Sequence, residues 1–276
     1  GEPVRVSPST VDTLVRCPLR WLLERHGGTD PAQLAAVTGT LVHALAQSAA
    51  DGADTGQLRA ELDAAWTRVD AGAPWFSRRE RRRVESMVWT FLDWLRTSRA
   101  ELTGAAVEQE MRVALPPEID TGQDGDGGGR TVWLTGRVDR LEHDAYGRPV
   151  IVDLKTGKTP ISTAEAEKHP QLAAYQLALR LGAFDTGGAT APGDTGDSGG
   201  ARLVYVAKPH TRTGATQREQ PALDDEAARR WLDVVRTAAA ESAGPEYPVR
   251  ENSDCDRCPA RPACPLRPEG RQVTHR

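Results

Sequence analysis

The stretch Pro149-Val150-Ile151-Val152-Asp153-Leu154-Lys155 decides how this sequence folds. An apolar run ends in a carboxylate, one aliphatic residue and an amine. The run reads as a buried strand, and side chains alternate along a strand. Asp153 and Lys155 therefore project to one face while Val152 and Leu154 project to the other. Immediately upstream, residues 131–142 read as a second strand. The turn Asp144-Ala145-Tyr146-Gly147-Arg148 folds the two into an antiparallel hairpin. The hairpin brings Asp139, within Gly136-Arg137-Val138-Asp139, to strand spacing of about 5 Å from Asp153. Two carboxylates and a lysine on one buried patch are costly unless a cation joins them. Hard oxygen ligands at an open site suit Mg²⁺ or Mn²⁺. A lone Asp-x-Lys triplet is usually a surface ion pair, but the apolar strand in front of this one argues against that reading.

Working outward, the fold class is α/β. Residues 7–26 read as helical, with Ser7 or Ser9 as N-cap, a kink or a restart at Pro18 and Gly27-Gly28 as the stop. Residues 38–50, 57–69 and 78–102 are further helices. The last carries Val84, Met87, Val88, Phe91, Leu92 and Leu95 at helical spacing, with Trp89 and Trp94 read as core. Residues 107–115 form a strand before the hairpin, a helix covers 170–181, and 202–207 form a buried strand. Strand, helix and strand in this order predict a right-handed crossover onto a mixed sheet. A helix over 223–240 and an irregular tail complete the chain. Two polar stretches, 122–130 and 184–200, read as loops, the second disordered at its centre. The expected organisation is one domain, with a helical part over 1–105, an α/β core over 106–242 and a cysteine-bearing tail over 243–276.

The chain has 276 residues and a net charge of −4. That charge counts against a free-standing, non-specific DNA binder, which is normally basic. It does not count against an enzyme that receives nucleic acid from a partner. The run from Arg78 to Arg83 reads as a solvated helix face. No apolar run is long enough to cross a bilayer and no signal pattern opens the sequence, so no membrane and a cytoplasmic location are expected. The absence of an initiator Met suggests a piece of a longer protein.

Four cysteines remain: Cys17, then Cys255, Cys258 and Cys264 in a C-x₂-C-x₅-C group. A cytoplasmic protein does not need disulfides, and four thiols with a compact trio form a metal-ligand set. Structural zinc and an iron–sulfur cluster both accept four thiolates. Zinc ligands usually come as two close pairs, which this spacing lacks.

Asp153-Leu154-Lys155 with Asp139 upstream resembles the PD-(D/E)xK nuclease core, and in particular its RecB-type branch. Gly39-Thr40-Leu41-Val42-His43 is similar to that branch's G-x-x-x-H helix, Gly136 to Asp139 to its G-x-x-D strand, and Gln171-Leu172-Ala173-Ala174-Tyr175 to its Q-x-x-x-Y helix. These motifs stand in the family's order across nearly the whole chain. The resemblance implies a restriction-endonuclease-like mixed sheet core. It implies that His43, Asp139, Asp153 and the Leu154 carbonyl hold Mg²⁺ or Mn²⁺, that Lys155 positions the attacking water, and that Gln171 and Tyr175 sit at the site edge. Glu110 is read as an accessory carboxylate, with Glu108 competing on the same face. The cysteine pattern resembles the iron–sulfur subset of this branch, which includes AddB-type subunits and a helicase–nuclease domain. It implies a [4Fe–4S] cluster on Cys17, Cys255, Cys258 and Cys264. The function implied is cleavage of single-stranded DNA or a duplex end, beside a helicase motor in the same chain or complex, in double-strand break processing and recombination. No G-x-x-x-x-G-K-[ST] loop is present, so this chain holds no motor of that type. The alternatives are a CRISPR adaptation nuclease, a catalytically silent iron–sulfur scaffold that binds DNA, and a zinc-bound version.

Overall fold

The computed structural model describes residues 2–27, 34–116, 130–184 and 198–271. The helix expected over 7–26 is two helices. Ser7 accepts the Thr10 N–H and opens α1 (Pro8–Arg16). Cys17 is extended, and α2 (Pro18–His26) restarts behind it. Pro18 has no amide hydrogen and disfavours helical backbone at the preceding residue, so of the two expected outcomes the helix restarts rather than kinks. Then follow α3 (Leu34–Ala50), α4 (Thr55–Trp66) and α5 (Pro74–Ser98). A capping box sets the start of α4: Asp54 accepts the Gly56 and Gln57 N–H groups, and Gln57 accepts the Asp54 N–H. Pro74 opens α5 ahead of the expected 78, because proline fits the first turn of a helix.

The strands are β1 (Val4–Val6), β2 (Thr103–Ala114), β3 (Val132–His143), β4 (Pro149–Lys155), β5 (Ala201–His210) and β6 (Gly214–Gln220). They form one mixed sheet in the order β1-β3-β4-β5-β6, with β2 also on β3. Between β4 and β5 come α6 (Thr163–Glu167) and α7 (Pro170–Arg180), and β5 returns parallel to β4 as expected. After β6 come α8 (Asp225–Ala243) and, in the tail, the short α9 (Pro268–Arg271). The loops expected at 122–130 and 184–200 lie outside the described residues, apart from Arg130, Phe184 and residues 198–200.

Strand β3 organises the sheet. Strand β2 pairs antiparallel along one edge, from Thr103↔His143 to Ala114↔Trp133. The other edge has two occupants. Strand β1 pairs in parallel with Val132 to Leu134, and β4 pairs antiparallel with Arg140 to His143. Residues 135–139 lie between them, with no strand alongside on that edge among the described residues.

Two cores sandwich the sheet. On one face Val11 and Leu14 of α1, Leu172 and Leu177 of α7 and Val235 of α8 pack with Leu134, Val138, Ile151 and Leu203. On the other, Val42 and Leu45 of α3, Leu58 and Leu62 of α4, and Val84, Met87, Phe91 and Trp94 of α5 pack with Val150, Val152, Leu154 and Val204. Strand β4 thus alternates as its sequence requires. Its even positions face α5, while Ile151, Asp153 and Lys155 share the α7 side. Phe91 and Trp94 are fully buried. Truncating either to alanine costs about 3–5 kcal/mol. Trp89, expected in the core, is only half-buried, beneath the guanidinium of Arg59.

Candidate functional site

The site forms where β3 and β4 part. Their ladder ends at Arg140↔Val152. One residue further, the Asp139 side chain takes over: its Oδ2 accepts the Leu154 N–H at 2.6 Å. Its Oδ1 lies 3.3 Å from Nδ1 of His43, delivered by α3. Glu108 of β2 is directly opposite Asp139 in register, between the pairs Val107↔Arg140 and Gln109↔Val138. Among the described residues Glu108 is the only non-glycine with positive φ, at 48°. That conformation costs about 1–2 kcal/mol. One ligand atom from each of His43, Glu108 and Asp139 lies within 4.8 Å of the other two. Ala46, Gln47 and Leu154 help line the pocket around them, which has a volume of about 190 Å³.

Asp153 stands beside this group rather than in it. The carboxylate is buried. Its Oδ1 accepts Gln171 Nε2 at 2.6 Å, and Gln171 Oε1 accepts Lys155 Nζ at 2.8 Å. Lys155 Nζ also lies 2.7 Å from Asp153 Oδ2, an ion pair in which that oxygen gains no aligned hydrogen bond. One glutamine therefore holds the carboxylate and the lysine in a fixed relation. Tyr175, expected with Gln171 at the site edge, reaches the backbone of β3. Its hydroxyl donates to the Arg137 carbonyl at 2.7 Å, within the stretch of β3 between its pairings with β1 and β4.

The charges are coupled. Burial pushes the Asp153 carboxyl up to about 6, against the pull of Lys155 and with the help of Asp139. Burial disfavours the His43 imidazolium, but the contact with Asp139 and the charges of Asp139, Asp153 and Glu108 outweigh it, so His43 titrates above its usual range. Lys155 behaves alike: burial opposes its charge, Asp153 more than restores it, and the ammonium stays protonated. Burial raises the Tyr175 phenol, which remains a neutral donor.

These residues fit a divalent cation. Two carboxylates face each other across a strand pair, an arrangement that repels without a cation. Glu108, one of the two, is held there in a strained conformation, and the buried carboxylate of Asp153, paired with Lys155, stands beside them. An imidazole with carboxylates suits Mn²⁺ or Mg²⁺. Of the expected set, His43 and Asp139 meet directly, Leu154 is tied to Asp139 through its N–H and lines the same pocket, and Asp153 lies to one side with Lys155, while Glu108 takes a place at the centre. Glu110, preferred above as the accessory carboxylate, is 85% exposed and points at Arg137. Strand alternation cannot separate positions 108 and 110. The register opposite Asp139 separates them, and it becomes visible only once β2 and β3 are paired.

A second cluster lies at the tail. All four cysteines are free. Cys17, buried at the α1–α2 junction, shares a pocket of about 430 Å³ with Cys255, Cys258 and Cys264. The tail is fastened to α1 through that helix's last carbonyls, which have no partner within the helix. Arg250 donates to Leu14 O at 2.9 Å and Asn252 Nδ2 to Arg16 O at 3.0 Å. Arg16 pairs with Asp254 at 2.7 Å. Arg20, Arg250, Arg261 and Arg267 line the pocket together with Glu251 and Asp254.

Among the described residues no helix is long and apolar enough to cross a membrane. No curated protein shows a significant match to the chain. The solved structure of a protein called SSO0001 is similar at 15% identity and a TM-score of 0.43, covering 97% of this chain and 88% of that one. The family model described as the PD-(D/E)XK nuclease superfamily matches residues 5–265, a span that takes in the His43–Asp139 pair, the Asp153–Lys155 pair and all four cysteines. By that match over most of its length, the chain belongs to the PD-(D/E)XK nuclease superfamily.

Proposed function

We propose that this protein is a divalent-metal-dependent DNA nuclease, acting on single-stranded DNA from an end as the nuclease part of a helicase–nuclease system for double-strand break processing. One observation carries the reading. His43, Glu108 and Asp139 converge at the mouth of the β3–β4 split, with Lys155 held charged beside them by Asp153 and Gln171.

His43, Asp139 and Asp153, with Glu108 and the Leu154 carbonyl, would hold Mg²⁺ or Mn²⁺. When bound, that ion activates water and neutralises phosphate charge. The protein's own groups do the rest. Asp139 uses one oxygen to fix the β4 backbone at Leu154, which sets the position of the strand end. Protonated Lys155, held by Asp153 and Gln171, would donate to a phosphate oxygen or the attacking water and offset charge that grows in the transition state. Gln171 keeps Lys155 and Asp153 in register. Tyr175 holds the Arg137 carbonyl and so steadies the segment of β3 that leads to Asp139. Cleavage of end-labelled single-stranded DNA with Mn²⁺ or Mg²⁺ tests the proposal. Activity in the wild type and its loss in Lys155→Ala are expected. A wild type that cleaves nothing, with or without a helicase partner, would count against it.

For the thiol pocket the reading is a [4Fe–4S] cluster that staples the tail to the α1–α2 junction. The shared lining by all four cysteines and the fastening of the tail to α1 by Arg250 and Asn252 support it. Closing so long a loop carries an entropic cost that four metal–thiolate bonds can offset. Iron and sulfide analysis of anaerobically purified protein decides between cluster and zinc.

A further inference from the structure

The face of the sheet that carries Glu108 and Asp139 is covered by α3, α4 and α5 over β4, β5 and β6. Beyond the site, toward β1, it bears a different set of side chains. Residues opposite each other in register share a face. Val6, Val113, Met111, Leu134 and Val138 point into the core with α1 and α7. Their neighbours in sequence therefore point the other way. Those are Arg5 beside Trp133, Arg112 opposite Thr135, and Glu110 opposite Arg137. The next pair along is Glu108 and Asp139.

All three arginines are exposed, and Trp133 is half-buried. Arg112 lies 4.3 Å from the centre of the Trp133 ring. Neither Arg5 nor Arg112 has a carboxylate partner among the described residues. Arg137 contacts Glu108 at 3.3 Å and Glu110 at 3.9 Å while remaining 57% exposed. Excluding the site's own carboxylates, this row carries three positive charges against one negative, in a chain whose net charge is −4. From Trp133 to Asp139 the rise along the strand is about 20 Å. A row of phosphate-binding cations beside an aromatic ring, leading to a metal-binding group, has the chemistry of a single-stranded nucleic acid track.

We infer that the open face of β1, β3 and β2 guides a single DNA strand to the site, with Arg5, Arg112 and Arg137 on successive phosphates and the Trp133–Arg112 pair as a stacking surface. The inference rests on the nuclease reading for its direction of travel, since the row ends at His43, Glu108 and Asp139. The continuity of the row with that group favours nucleic acid over an acidic protein as the occupant.

Binding measured without cleavage separates the two ideas. Fluorescence anisotropy of a labelled single-stranded oligodeoxynucleotide, in chelator, compares the wild type with Arg5→Glu/Arg112→Glu and with Trp133→Ala. The double variant is expected to bind about tenfold more weakly or worse, with a log K against log salt slope less negative by about 1.4. Trp133→Ala is expected to lose roughly tenfold with no change in slope. Arg78→Glu/Arg79→Glu makes the same charge change on an exposed face of α5 and is expected to bind as the wild type does. Equal weakening by that control would reduce the effect to bulk charge and overturn the track. So would unchanged binding by the first double variant, a wild type with no affinity for the oligonucleotide, or binding only to an acidic protein. Loss of binding in the track variants alongside a wild type that never cleaves would keep the track and remove the nuclease reading.

Discussion

Asp139 Oδ2 accepts the Leu154 N–H at 2.6 Å, one residue beyond the last main-chain pair of β3 and β4. A carboxylate thus completes the sheet where the ladder stops, and its other oxygen faces His43. Asp139→Asn can keep an acceptor for Leu154 but loses the charge, whereas Asp139→Ala loses both. Both variants should lose metal-dependent cleavage by a factor of about 100 or more. Only the alanine should also lose stability, by about 1–3 kcal/mol, because it strands a part-buried N–H. Equal unfolding midpoints in denaturant for the two variants would show that the bond carries no stability.

Gln171 bridges Lys155 and Asp153, so it should act on the rate through them. Gln171→Ala is expected to lower kcat about 10- to 100-fold. It also removes a donor from the Asp153 carboxylate and should move the acid limb of the pH–rate profile upward. A role limited to packing would lower the melting temperature and leave that limb where it is.

Glu108 is held at φ 48° and faces Asp139. Glu108→Gly relieves the strain and the repulsion together. Against this stands the added chain entropy that a glycine brings to the unfolded state. The metal-free variant should be at least as stable as the wild type, by up to about 1 kcal/mol, while Mn²⁺ affinity falls about tenfold or more. Calorimetric titration with Mn²⁺ alone reads the second half. Unchanged affinity would remove Glu108 from the ligand set.

Metal binding must displace the proton on His43, whose folded pKa lies above 6.5. Mn²⁺ affinity should therefore climb as pH rises through the window above 6.5, by up to about tenfold per pH unit for one proton released. The metal-free protein should show the opposite trend. The His43–Asp139 contact contributes stability that is complete below 6.5 and fades as pH passes the folded pKa of His43. Asp153, raised from 3.8 to about 6, costs stability as it ionises between those values. Melting curves in chelator and in Mn²⁺ should thus diverge as pH rises. In His43→Ala much of that divergence should vanish.

Cys17→Ser and Cys255→Ser should each abolish visible absorbance in anaerobically purified protein and lower the melting temperature. Conversely, a colourless wild type with one zinc per chain would refute the cluster. Asn252→Ala, which frees one end carbonyl of α1, should loosen the tail and cost about 0.5–1.5 kcal/mol.

The site's centre was legible from residue types in order. Asp153 and Lys155 follow an apolar strand, Asp139 sits on its hairpin partner, and His43 and Gln171 occupy helices at motif spacing. Periodicity cannot show how a pair of strands separates. The roles of Glu108 and Tyr175 depend on that separation, and only the register places them. Strand β1 is three residues long and carries little pattern. Strand β6, Gly-Ala-Thr-Gln-Arg-Glu-Gln, is a polar strand at the end of the sheet order and, among the described residues, pairs only with β5, so it shows no apolar alternation. Helix α6 has five residues and stands on a capping box from Ser162 and Glu165, too short for a helical period to register.

The stretch of β3 between β1 and β4 has a further consequence. Backbone amides in regular ladders exchange slowly with solvent, and those at the limits of a ladder exchange sooner. Here a side-chain carboxylate and a phenol hold the seam closed, at Leu154 and Arg137. The group that would bind the metal is therefore also the latch of the sheet's least protected joint. Occupancy of the site should register as slowed deuterium uptake at Leu154 and along residues 135–139, so the protein would carry a record of its metal in its own backbone.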